Sequence, residues 1–343
     1  MAAIAVVVNG LPQGLLALSF GFAALPTSLG FIVGTVGALL FRSVAPISFQ
    51  AESIVLAGTM GKDRHERCAI VFITGVVMAI IGAAGLLEPT IRFIGPAVEN
   101  GMMAGVGIIL ASVAVKMVKE QALVGWGSLI SAVGVYAFSK NLVNTIVISV
   151  AVGTIVRLLL PEKVTQPAYG EIEKIKRIPL SFRSASVIRG ALAMICLQIG
   201  GNIAYAGITG SIARSSVNVD HVTLYSGIAD AVSSAFGGGP VEAIISGTGA
   251  APNPVTAAVI MMGLMTAILI AGLLPIIGKR VPSESIAGFL FVLGAIVAFP
   301  TNIKLAISAD PLVGGVSTVV TAATDPFIGL VAGVIVKFLM GNS

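Results

Sequence analysis

The stretch Phe236 to Pro254 reads FGGGPVEAIISGTGAAPNP and sits among strongly apolar runs, yet it cannot be one continuous spanning helix. Gly237, Gly238, Gly239 and Pro240 precede a short helix-compatible run, Val241 to Ser246, and Gly247, Gly249, Pro252 and Pro254 end it. Glu242 falls in the expected first turn, beside backbone N–H groups that have no intrahelical partner. In lipid, irregular backbone is tolerated only where it is buried in protein or lines a water-filled cavity. A broken half-helix that carries an ionisable side chain is the sequence pattern of a transporter binding site. The plain alternative is a re-entrant loop with a structural Glu.

The lipid setting follows from composition: of 343 residues, 56% are hydrophobic and 10% charged, against roughly 25% charge in soluble domains. This is an all-α polytopic membrane protein, and its 41 Gly and 16 Pro imply closely packed and sometimes broken helices. Cys68 and Cys196 are far apart and support neither a disulfide nor a metal framework. His65 and His221 lie in polar connections, which argues against a His-based metal or haem site. The formal charge of +5 reads as a membrane-orientation signal and not as a nucleic-acid footprint. No Ser/His/Asp, nucleotide-loop or metal-spacing constellation appears, so an enzyme and a resident cofactor are not expected.

Apolar runs cover about 2–24, 29–41, 68–87, 94–117, 122–138 and 141–160, with a short polar-flecked segment at 46–59 and a charged turn at Lys62 to Arg67. A polar linker, 161–185, follows. The second half runs through about 186–208, 222–236, the broken stretch, 255–277, 284–300, 303–318 and 325–340. The expectation is about fourteen segments, several too short to span alone, as repeats 1–160 and 186–343. Glu52-Ser-Ile-Val-Leu-Ala-Gly58-Thr59 parallels Glu242-Ala-Ile-Ile-Ser-Gly247-Thr248; Ala84 to Leu87 parallels Ala271 to Leu274; Pro96, Gly101 and Gly107 parallel Pro282, Gly288 and Gly294. These matches share offsets of 186 to 190, which argues for an internal duplication. An odd number of segments per copy inserts the two in opposite directions, with short broken segments 3 and 10 crossing at the midplane.

That geometry puts Glu52 and Glu242 across one cavity, where a carboxylate holds a proton, accepts hydrogen bonds from a donor-rich ligand, or does both in turn. Gln198 and Asn202 stand at i, i+4 on one helix face; they offer donors and acceptors to a ligand, or clamp two helices together. Asn9 and Gln13 repeat the spacing in the first half. Phe49, just before Glu52, stacks on a planar ligand or packs. Asp230 is either a cavity acid or a helix-packing group. Asp325 reads as a helix cap.

Gly227-Ile-Ala-Asp-Ala-Val-Ser-Ser with Gly238 and Val241-Glu242, together with Leu11-Pro-Gln-Gly-Leu-Leu-Ala-Leu18, resembles the nucleobase:cation symporter-2 superfamily (xanthine/uracil permeases), nearest its adenine/guanine/hypoxanthine branch. The resemblance implies a core of segments 1–4 and 8–11 (about 1–87 and 186–277), a gate (about 88–160 and 278–343) and homodimers. It implies a permease that moves a purine-like nucleobase by alternating access, coupled to H+ or Na+. Glu242, Gln198, Asn202 and Gln13 would read the base, Phe49 would stack on it, and Glu242, Glu52 and Asp230 are the coupling candidates. Two departures stand out: the family carries an acid where this chain has Gln198, and Glu52 has no regular counterpart, so Glu52 is read as its pseudo-symmetric replacement. The alternatives are an inorganic or small organic anion transporter of the sulfate-permease-like fold, or a membrane binding protein that does not transport. Localisation reads as multi-pass in the plasma (inner) membrane. The Lys and Arg bias places both termini outside, whereas the resemblance places them inside.

Overall fold

The computed structural model describes residues 2–160, 175–182, 184–278 and 281–341, with the side chains of Ala2, Ala5 and Asn9 outside that description. Most of the expected 161–185 linker, and the Asn9 half of the Asn9/Gln13 pair, therefore lie outside the described residues.

In chain order the helices are α1 (Ala2–Ser19), α2 (Ala24–Leu40), α3 (Ala51–Met60), α4 (Arg64–Ala83), α5 (Leu87–Ile94), α6 (Pro96–Glu120), α7 (Ala122–Ser139) and α8 (Leu142–Leu159). The second half adds α9 (Ala185–Ala213), α10 (Val219–Ala235), α11 (Pro254–Ile270), α12 (Leu273–Gly278), α13 (Ala287–Phe291), α14 (Phe299–Ala309), α15 (Pro311–Ala323) and α16 (Pro326–Leu339). Two short strands, β1 (Ile47–Ser48) and β2 (Glu242–Ala243), pair antiparallel with Ile47 opposite Ala243 and Ser48 opposite Glu242.

Local chemistry sets many of these boundaries. Asp63 caps α4 by accepting the Glu66 N–H at 2.9 Å. Asn253, Asp310 and Asp325 cap α11, α15 and α16, each followed by a Pro at the first helical position, where its missing N–H costs nothing. Six stretches are long and apolar enough to cross a bilayer: Arg64–Ala83, Pro96–Glu120, Ala122–Ser139, Leu142–Leu159, Ala185–Ala213 and Ser283–Ala309. Large apolar side chains on α7 and α8, among them Trp126, Ile130, Phe138, Ile155 and Leu158, are exposed. Such a surface is stable in hydrocarbon and not in water. The chain is an integral, multi-pass membrane protein.

Several expectations need correction. The run Val241 to Ser246 is not helical: Glu242 and Ala243 form β2, and the only helical turn nearby is the 3-10 piece Gly247–Ala250. Gly237, at φ +90, turns the chain out of α10, and Gly238 bridges Ala23. The extended segment pairs its backbone with β1 instead. The expected break between 300 and 303 is absent. A π-helical stretch, Val292–Ala298, runs into α14, and the break comes at Asp310-Pro311. The run 255–277 is divided at Gly272, φ +67, and α5, α12 and α13 are short pieces that the apolar runs had not marked off.

The chain divides into two compact units, Met1–Glu88 with Gln166–Arg280 and Pro89–Thr165 with Val281–Ser343. In the first, α4 and α10 pack at backbone distance through Gly75, Gly82 and Gly227: a Cβ on Gly227 would lie 2.5 Å from the Ala79 nitrogen. Beside them α2 lies against α10 and α11, with Gly37 on the Tyr225 ring. In the second unit α6 is the central helix, packed against α14, α15 and α16. Gly107 on α6 and Gly294 in the π-helical stretch meet backbone to backbone. These are residues that the sequence offset had paired.

Candidate functional site

The polar residues converge inside the first unit, around the β1–β2 ladder. Glu242 is 2% exposed. The Gln198 carboxamide nitrogen, on α9, donates to the Glu242 carboxylate at 2.6 Å and to the Asp230 carboxylate at 2.8 Å. Both of its hydrogens are thus committed to acids. Asp230, on α10, also accepts the Val241 N–H at 2.7 Å. Asp230 therefore anchors the entry to β2 and holds Gln198 in place, and Gln198 holds Glu242. The Ser53 hydroxyl donates to the Gln50 carboxamide oxygen at 3.1 Å, which commits its one proton.

Glu52 occupies the first turn of α3 and is buried. Its charge interacts with Glu242, and the Tyr205 hydroxyl approaches its carboxylate at 3.5 Å. Gln13, on α1, accepts the Ala51 N–H at 2.9 Å, which satisfies the first exposed donor of α3. Gln198, Glu242, Asp230, Glu52 and Gln13 are thus gathered around one crossover. Asn202 points elsewhere: its carboxamide donates to Thr223 on α10 at 3.2 Å, a clamp between helices. Phe49 is buried edge-on against Phe31, centroids 5.4 Å apart, and its ring closes on Gly14 of α1. It is engaged in packing on that side.

Among the described residues three buried acids, Glu52, Asp230 and Glu242, surround this crossover while no Lys or Arg is buried. No group of three or more His, Cys, Asp or Glu able to hold a metal occurs among them.

Sequence reasoning missed Ser48, Gln50, Ser53 and Tyr205. Tyr205 had a signal, since Gln198, Asn202 and Tyr205 follow an i, i+4, i+7 pattern along one helix face. Ser48 and Gln50 had none, because their role depends on a strand pairing across nearly two hundred residues.

Architecture and hydropathy together define a helical, multi-pass membrane protein with a buried polar crossover. No family model matches the sequence, and no curated protein matches it. Solved structures do. The transmembrane domain of a cyanobacterium bicarbonate transporter, BicA, is similar with a TM-score of 0.59 at 16% identity over 98% of this chain and 97% of that one. SLC26A9 is similar with a TM-score of 0.64 at 12% identity over 98% of this chain. The murine Solute Carrier 26 family member A9 anion transporter, in the inward-facing state, gives 0.66 at 13% identity over 99%. The chain spans 65% and 67% of the length of those last two structures. At such identities the likeness is one of fold.

The comparison corrects the resemblance to xanthine/uracil permeases, and with it the nucleobase substrate and the purine-reading roles. The structures named above are the transmembrane domain of a bicarbonate transporter and a Solute Carrier 26 anion transporter. Part of what carried the resemblance, the Gly-rich turn, answers to the local backbone of the crossover, where Gly237 has φ +90. Gly238 lies where any Cβ would meet the Pro26-Thr27 backbone, so glycine there reports the fold and not the cargo.

Proposed function

We propose that this protein is a secondary-active transporter of a small inorganic or organic anion, working by alternating access and driven by a cation gradient. One observation carries the reading: 98% of the chain superposes on 97% of a bicarbonate transporter's transmembrane domain. The residues proposed to carry the cargo belong to the first compact unit. The cargo sits beside the β1–β2 ladder, where Tyr205, Gln50 and Ser53 supply donors.

Carboxylates at two half-helix N-termini would repel an anion, and Glu52 stands in the first turn of α3. The geometry changes that objection. Glu242 lies on a strand, and its carboxylate is held by Gln198. With three buried acids at the crossover and no buried Lys or Arg among the described residues, an anion enters only with compensating positive charge. That requirement supports coupled symport of anion and cation over anion exchange.

The test is uptake of radiolabelled bicarbonate, sulfate, chloride and a short carboxylate into proteoliposomes, with sodium, pH or no gradient, by wild type and Glu242→Gln. The expected result is gradient-driven uptake of one anion class, reduced at least tenfold in the variant. Binding without flux for every anion would instead identify a non-transporting binding protein and overturn the reading.

A further inference from the structure

We propose that the segment 175–182, which leads into α9, is a docking surface for anionic lipid headgroups of the bilayer, with Lys176 and Arg177 as the phosphate-facing groups. The inference goes beyond the transport reading and is independent of the cargo.

From residue 174 to residue 189 the sequence carries five Lys or Arg and no acid. Two of them, Lys176 and Arg177, are exposed and make no hydrogen bond or ion pair with a described residue. Apolar side chains around them are uncovered as well: Ile175 is 46% exposed, Phe182 47%, and Ile188, in the first turn of α9, 56%.

The segment is neither helix nor strand, yet three contacts within the first unit fix it. The His65 ring meets the Pro179 carbonyl oxygen through Nδ1 at 2.8 Å. The Ile178 N–H donates to the Ala235 carbonyl oxygen at 3.2 Å. The Phe182 ring packs against Phe72 of α4, centroids 6.2 Å apart. Asp63 lines a groove with His65 and residues 179–182, but its carboxylate is committed to the Glu66 N–H that it caps.

These contacts set the segment's depth in the membrane. α4 and α9 start at the same end, since Ser186 donates to Glu66 at 3.3 Å and Thr74, further along α4, donates to the Ala191 carbonyl oxygen at 3.3 Å. Both helices are long and apolar enough to span, so their first turns mark one face of the bilayer. Ile178 and Pro179 meet the end of α10 and the start of α4, which puts the neighbouring Lys176 and Arg177 at headgroup level. Phe72 follows the start of α4 by about 12 Å, at ~1.5 Å per residue. Phe182 therefore reaches the boundary between headgroups and hydrocarbon, where aromatic rings concentrate.

A soluble acidic partner would meet the two charges and leave Ile175 and Phe182 in water. A bilayer takes both at once, apolar side chains in the boundary and phosphates on the cations. Each Lys or Arg near an anionic surface favours it roughly fivefold.

The experiment is fluorescence quenching of full-length protein in liposomes of phosphatidylcholine with a minor share of phosphatidylglycerol. Composition is held fixed, and only the lipid that carries brominated chains is changed. Trp126 is the sole tryptophan, so Trp126→Phe with Phe182→Trp places one reporter on the segment. The expected result is quenching by brominated phosphatidylglycerol as though it were enriched at least fivefold over its bulk share. High salt and the added pair Lys176→Gln and Arg177→Gln should each abolish the enrichment, with unchanged gel-filtration profiles in detergent. Wild type needs no substitution in a second measurement: tryptic cleavage after Lys176 and Arg177 in nanodiscs should slow at least fivefold when phosphatidylglycerol is added. Equal shares of the two lipids at the reporter overturn the proposal, as does enrichment that the Gln pair retains, or cleavage indifferent to lipid charge.

Discussion

The closest backbone approach that bears on the site is the seam between α4 and α10, and Gly227→Ala tests it. A Cβ at Gly227 would lie 2.5 Å from the Ala79 nitrogen, 2.6 Å from the Gly75 carbonyl oxygen and 3.0 Å from the Ala79 Cα. All three are backbone atoms, so no side chain can swing aside and α10 itself must move. Reaching ordinary contact takes a shift of somewhat under ~1 Å, enough to forfeit a quarter to a half of the dispersion attraction along the seam. Overpacking of this sort costs about 1–3 kcal/mol, and the better helix propensity of Ala returns at most about 1 kcal/mol. The net expectation is a loss of about 1–2 kcal/mol. Function should suffer more. Asp230 is one turn beyond Gly227 and holds Gln198 at 2.8 Å; a shift of that size carries the bond past the ~3.2 Å limit for a good N–H···O contact. The control is Gly263→Ala on α11, where an added Cβ meets nothing within 4 Å. Thermal unfolding in detergent and uptake in proteoliposomes should separate the two variants, Gly227→Ala losing stability and about tenfold in transport. Equal stability and equal uptake would refute the seam as the element that positions the acids.

Gln198→Leu should destabilise the first unit by about 2–4 kcal/mol, since it removes two hydrogen bonds to carboxylates at ~1.5–3 kcal/mol each, discounted because such bonds average nearer ~0.6 kcal/mol in membrane proteins. A double-mutant cycle with Asp230→Asn, read by reversible unfolding, checks it, and a coupling energy near zero would count against the bridge. Asp310→Ala removes the side chain that accepts the Leu312 and Val313 N–H groups. The expected cost is about 1 kcal/mol, seen as faster hydrogen exchange confined to the first turn of α15.

Much of the architecture was readable in the sequence, and the failures share a cause. Periodic apolar runs and Pro or Asp punctuation located most helices, because a helix satisfies its backbone within its own segment. Glu242 stood out for the same reason, as an acid within a stretch that could not be a continuous helix. The strand at Glu242-Ala243 was not readable, because its partner lies at Ile47-Ser48 and neither half is long enough to show a period. The break expected between 300 and 303 failed differently: Pro300 suggested an end, but it enters at the first turn of α14 behind a π-helical stretch that absorbs the missing N–H. The cargo was misread because the Gly-rich turn answers to the backbone of the crossover. No motif brought together Tyr205, Gln50 and Ser53, the side-chain donors proposed above to meet the cargo.

Those three residues are where anion recognition should reside. An anion needs donors, and most of the backbone donors at the crossover are already spent. The Ala51 N–H is taken by Gln13, the Val241 N–H by Asp230, and β1 and β2 pair with one another. The side-chain donors nearby are only loosely engaged. Ser53 gives its one proton to the Gln50 oxygen at 3.1 Å, while Tyr205 approaches Glu52 at 3.5 Å and Gln50 approaches the Ala243 carbonyl oxygen at 3.5 Å. Bonds at that distance contribute little to the resting fold, so these donors can turn to a ligand at small cost. Tyr205→Phe should therefore leave stability within about 0.5 kcal/mol of wild type. It should raise the KM for the anion roughly tenfold or more, the scale of one hydrogen bond to a charged group, with the maximal rate largely retained. A variant that loses stability while keeping its KM would make Tyr205 a structural partner of Glu52, and anion recognition would then have to come from the backbone after all.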